Sequence, residues 1–163
     1  MTKFGRPWTL EDFDEKPAKM KEQIRAEFEK GNDEEVNKNK YHAKRCEASE
    51  DSWPELAGRS FPSKLERATA NLLVIRQRAK EIKDLEFQPR VRLLEHPDLN
   101  YKPDFRYFDI ERKQLYHVES KGFVGERWRV IRVVWAHFGP TPLEIMVAGK
   151  YGPRVQKTLW PKG

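Results

Sequence analysis

Residues 104–122, DFRYFDIERKQLYHVESKG, decide the fold. DFRYFD is aromatic-rich and QLYHVESK (114–121) alternates apolar with polar, so both halves read as strands. A turn centred between Glu111 and Arg112 joins them as a hairpin and sets Asp104 opposite Glu119. Opposed side chains of a hairpin stand about 5 Å apart at Cβ. Side chains alternate along a strand, so Glu119 and Lys121 emerge on one face while Val118 and Ser120 emerge on the other. Two carboxylates that close repel unless a cation lies between them. Mg²⁺ suits the position, since it takes one or two protein carboxylates and completes its shell with water and phosphate oxygens. A lysine beside the pair can position an attacking water and offset charge developing on a phosphate. All of this depends on register, because a one-residue slip sends the acids to opposite faces. The plain alternative is a surface hairpin with a cross-strand salt bridge between Lys121 and an acid.

Upstream, Ser63 and Glu66 form an S-x-x-E capping box at the head of a helical pattern, with Leu65, Ala68, Leu72, Ile75 and Ala79 as its apolar stripe. Glu66 falls at the margin of that stripe, where it is either a cap or a further carboxylate. LEFQPRVRLLE (85–95) reads as one loosely alternating strand. Downstream, ERWRVIRVVWAHF (126–138) is predicted helical between Gly125 and Gly139, with Trp128, Ile131, Trp135 and Phe138 on one face, although its valines favour a strand. LEIMVA (143–148) is a last buried strand. The order α-β-β-β-α-β implies an α/β or α+β fold with a mixed central sheet.

With 163 residues, the chain suits one compact domain plus an extra segment. We expect a charged N-terminal helical segment and arm over 1–57, a core over 58–150 and a C-terminal tail over 151–163. Met20, Ile24 and Phe28 recur at helical spacing within the first segment, and Gly31-Asn32 would end that helix. Residues 1–57 carry 11 Lys/Arg against 14 Asp/Glu, while residues 58–163 carry 21 against 12. The second part is therefore the one suited to a polyanion such as DNA. A lone cysteine, Cys46, excludes an internal disulfide framework. No apolar run has the length of a membrane span, and the first residues lack the apolar core of a signal peptide, so a cytoplasmic protein is expected.

FPSKLE (61–66), DLEFQP (84–89), YKPDF (101–105) and HVESKG (117–122), followed by a helix and a strand, resemble the PD-(D/E)XK nuclease superfamily. Asn39-Lys40-Tyr41 and the following His-Ala-Lys-Arg resemble the arm of a phage-associated domain family of unknown function within it. The motif order is also similar to that of the phage endonuclease I type of Holliday-junction resolvase. The resemblance spans about residues 37–148 and implies a restriction-endonuclease-like core. It further implies a magnesium-dependent endonuclease, with Mn²⁺ as a substitute, acting on branched or structured DNA in a phage context, hence in the host cytoplasm. Asp104, Glu119 and Glu66 become metal ligands, and Lys121 becomes the catalytic lysine. Gln88, Arg127, Arg129, Arg132 and Lys40 become candidate DNA contacts, and junction cutting implies a two-fold homodimer. Two alternatives stand beside this: a nuclease of linear or nicked duplex, and a non-catalytic nucleic-acid-binding accessory protein. The first 36 residues match no part of the pattern.

Overall fold

The aromatic-rich strand of the decisive stretch is Phe105–Asp109 and its partner is Gln114–Ser120. Their turn is stitched by the Arg112 amide, which donates to Asp109 Oδ1 at 2.8 Å, and Lys113 adopts a left-handed backbone (φ 53°). Phe105 pairs with Val118 and Asp109 with Gln114, the register that a turn between Glu111 and Arg112 requires.

A computed structural model of the chain describes residues 9–29, 46–47, 53–121 and 124–162. In chain order these form helix α1 (Ala18–Glu29), strands β1 (Cys46–Glu47) and β2 (Ser60–Phe61), helix α2 (Lys64–Arg78), then β3 (Ile82–Phe87), β4 (Val91–Leu94) and β5 (Leu99–Tyr101). The hairpin strands are β6 and β7, and they are followed by α3 (Glu126–Phe138), β8 (Leu143–Gly149) and β9 (Gly152–Leu159). The main sheet has five strands in the order β3-β6-β7-β8-β9. It is mixed, because α3 carries the chain across to set β8 parallel to β7 while the other neighbours are antiparallel. The fold is thus a mixed α+β architecture, as expected.

Strand alternation divides the core into two layers. Phe105, Tyr107, Tyr116, Val118 and Met146 pack with Ala70, Leu73 and Val74 of α2 on one face. Leu143, Ile145 and Leu159 pack on the other with Trp128, Ile131, Val134 and Trp135 of α3, the β4–β5 hairpin, and Met20 and Ile24 of α1. Gly139 closes α3 against this layer, where a Cβ would meet the Trp135 ring at 2.5 Å.

Several expectations are corrected. The strand expected over 85–95 is two strands in different sheets, broken at Gln88, whose backbone is left-handed (φ 50°). The C-terminal tail is instead β9, an edge strand of the main sheet. The buried face of α2 is Glu66, Thr69, Ala70, Leu73 and Val74, whereas Ile75 is exposed. Glu66, Thr69 and Ala70, which are small or polar, hid the true face from a search for large apolar residues. The N-terminal helix is no separate arm, since Phe13, Met20 and Ile24 are completely buried against α3. Gly31-Asn32 and the Asn39–Tyr41 motif lie outside the described residues. We predict that Ile24→Ala lowers stability by about 2–5 kcal/mol, the cost of truncating a buried aliphatic side chain. Urea denaturation checks this, and a free arm would leave the midpoint unchanged.

Candidate active site

Asp104 ends the approach to β6, and its Oδ2 accepts a hydrogen bond from the Ser120 amide at 2.7 Å. The Gln88 amide, one residue past β3, donates to the Asp104 carbonyl at 2.8 Å and extends the β3–β6 pairing. One bond thus ties Asp104 to the end of β7, and the other ties it to the end of β3. Glu119 lies one residue beyond the last pair of β7 with β6 and is paired with Ile145 of β8; it is 3% exposed and forms an ion pair from Oε1 to Lys121 Nζ at 2.5 Å. Its other oxygen, Oε2, is buried and accepts no hydrogen bond among the described residues. The Lys121 amide donates to Met146 on β8 at 3.0 Å, and its ammonium lies 4.9 Å from the Trp128 ring centroid. Strand pairing and a cation–π contact together fix its position.

Glu66 approaches from the opposite layer. Ser63 Oγ accepts from its amide at 3.1 Å, so Ser63 caps α2 as the sequence predicted. The Glu66 side chain is on the buried face at 6% exposure. It lines a cleft of about 230 Å³ with Asp104, Arg59, Ser60, Phe61, Phe87 and Gln88. Helix α2 packs on the Val118/Ser120 face of β7 rather than on the Glu119 face. Glu66 and Asp104 nonetheless line the same cleft, and the Glu66 charge acts on Asp104. Thr69 fastens this arrangement: its hydroxyl donates to the Leu65 carbonyl at 2.9 Å and accepts from Ser120 Oγ at 3.1 Å.

The three acids are electrostatically in contact. Burial first, then the charges of Glu119 and Glu66, push the Asp104 carboxyl up to about 8, against the pull of the Ser120 amide and Lys121. Burial also pushes Glu119 up, opposed by Lys121 and by Tyr101. Tyr101 is a site neighbour that motif reading passed over, although it stands within the same YKPDF run. Its phenol is held protonated by burial and by the Glu119 charge. His117 shares the Glu119 face, as alternation requires, and is buried. Its Nδ1 pairs with Thr141 Oγ1 at 2.6 Å, and burial lowers it to about 4.

A divalent cation fits this donor set. The orphaned Glu119 Oε2 and the mutual repulsion around Asp104 both call for positive charge, and Mg²⁺ needs only one or two carboxylates. No group of three or more His, Cys, Asp or Glu side chains among the described residues is placed to hold a metal by itself. Water and phosphate oxygens would have to complete the shell.

The expected DNA contacts divide. Gln88 is exposed at the cleft and Arg127 is exposed on α3, whereas Arg129 is 8% exposed and Arg132 turns to Glu27 of α1 at 3.8 Å. Successive helical residues rotate by about 100°, so 127, 129 and 132 cannot share one solvent face. Lys40 lies outside the described residues. Comparisons with family models, curated proteins and solved structures return no significant match to this chain.

The shift of Asp104 has a thermodynamic sign. Its folded value exceeds the ordinary 3.8, so the native state keeps a proton that the unfolded chain releases. In EDTA, this group's contribution to stability is therefore full at acid pH and falls as pH rises from about 4 to about 8. Urea unfolding at both ends of that window should show a smaller loss for Asp104→Asn than for wild type. Added Mg²⁺ should stabilise the wild type more at the alkaline end. No stabilisation there would count against a divalent site.

Proposed function

We propose that this chain is a metal-dependent endonuclease of the PD-(D/E)XK kind that hydrolyses phosphodiester bonds in DNA. The observation that carries the reading is the meeting of Asp104, Glu119 and Lys121 at the ends of two paired strands, with one buried Glu119 oxygen unpartnered among the described residues. The mixed five-stranded sheet with helices on both faces is compatible with this reading, although β4 and β5 interrupt the expected α-β-β-β-α-β succession and β9 extends it.

Asp104 and Glu119 would hold Mg²⁺ or Mn²⁺, with Glu66 as a further carboxylate on the cleft side. Bound there, the cation would polarise the phosphate and make a nucleophile available at neutral pH. Asp104 is kept in place by the Ser120 amide, so its carboxylate is positioned before substrate arrives. Lys121 presents its ammonium beside Glu119 and offsets negative charge that grows on the phosphate as water attacks and the P–O bond to the leaving sugar oxygen breaks. Tyr101 and Trp128 form the apolar wall behind these groups, their rings 5.9 Å apart, and limit the water that can screen them. Arg127 is left to meet the DNA backbone from α3.

A second reading, a nucleic-acid-binding accessory protein, is favoured by the lack of a self-sufficient metal cluster among the described residues. Incubation with a four-way junction, linear duplex and single strand, in Mg²⁺, Mn²⁺ or EDTA, separates the two. We expect metal-dependent cleavage that Asp104→Ala, Glu119→Ala and Lys121→Ala each reduce by about 10²–10³-fold or more, the scale of losing a preorganised electrostatic group. Binding without cleavage in either metal favours the accessory protein. Cleavage that these substitutions leave unchanged removes the site assignment.

A further inference from the structure

Beside the carboxylates lies a second feature that the chemistry above does not use. The Arg59 guanidinium stands 3.8 Å from the Phe87 ring centroid, and Phe105 holds Phe87 edge-on at 5.5 Å. A second pair repeats the motif, with the Arg78 guanidinium 4.4 Å from the ring of Trp53, which is 36% exposed. Glu55 links the pairs: its carboxylate accepts from Arg78 at 3.1 Å and its carbonyl accepts from Arg59 Nε at 3.2 Å. The first pair and Glu55 line a cleft of about 490 Å³ together with Gln77, Leu85 and Glu86. Arg59 and Phe87 also line the smaller cleft that contains Glu66 and Asp104.

We infer that this continuous surface is a track for an unpaired DNA segment, which it stacks and leads into the site. The inference deepens the endonuclease reading and rests on it for the place of the cut. Duplex DNA offers a protein chiefly its phosphates and groove edges, which call for charge and not for paired aromatic rings. Unpaired strands offer the faces of their bases, and proteins meet these with aromatic rings and arginine planes along a positive groove. Both arginine–ring pairs have that composition. The acids of the cleft do not oppose it, because Arg78 forms an ion pair with Glu55 and Arg106 with Glu86, leaving Arg59 without an acidic side-chain partner among the described residues. The cleft's volume lies within the range of about 300–1,000 Å³ typical of ligand sites, enough to seat a nucleotide unit. The substrate class is therefore DNA with a single-stranded flap, gap or opened branch next to the scissile bond.

Binding of a fluorescent oligothymidine and of a blunt duplex, measured by anisotropy in EDTA, tests this without requiring catalysis. The single strand should bind more tightly. Trp53→Ala and Arg59→Ala, both at exposed positions, should each weaken it by about tenfold, within the range of base stacking, and leave duplex binding nearly unchanged. Phe87→Ala should act likewise, with circular dichroism reporting whether the fold survives. Equal affinity for the two DNAs, or variants that bind the single strand as wild type does, overturns the track. Mg²⁺-dependent cleavage of a flapped duplex is followed in parallel. Cleavage with no strand preference would leave the nuclease reading standing and the track refuted. Strand preference without cleavage would keep the track and refute the nuclease.

Discussion

The hydrogen bond from the Ser120 amide to Asp104 is the constraint on which the site depends. It continues the β6–β7 ladder past its last backbone pair by using a side chain as the acceptor, so the register of the hairpin and the position of the acid are set together. A carboxylate bound by a backbone amide near the end of a strand cannot swing away from its neighbours. Held there, Asp104 is buried and faces the charges of Glu119 and Glu66, and burial first and then those charges raise its proton affinity. The same rigidity suits a site that must hold charges ready before the reaction calls on them.

Glu66 and Glu119 come from different layers, and the end of β6 is where those layers meet. Polar contacts hold the layers there, where apolar packing alone would permit sliding: Thr69 with Ser120 at the site, and Arg76, Tyr107 and Glu144 further along the sheet. The Tyr107 hydroxyl donates to Glu144 at 2.7 Å and accepts from Arg76 at 3.4 Å. Buried polar links of this kind have directional geometry, so they select one alignment of helix on sheet where an apolar surface would accept several.

Local patterns carried the hairpin, the Ser63 cap, helix α3 and the last buried strand, because each is specified by neighbours in sequence. The shared face of Glu119 and Lys121 and the place of Asp104 opposite them followed from strand periodicity and one turn. The inward face of α2 did not, because Thr69 and Ala70 are buried by virtue of Ser120 and the sheet, partners about fifty residues away. The split of 85–95 turned on Gln88, a residue without the glycine that usually marks a left-handed backbone. The Arg59–Phe87 platform escaped for the same reason: its two members come from separate segments and carry no shared motif.

The burial of Phe13, Met20 and Ile24 beside Trp135 and Leu159 has a consequence for how the molecule is made. Gln23 and His137, in contact at 2.8 Å, are separated by 114 positions, so α1 completes a core whose other members lie far along the chain. Contacts that distant carry a loop-closure cost before they return any stabilisation, which slows folding. Until α3 and β9 are in place, the apolar side chains of α1 lack the surface that covers them in the folded protein.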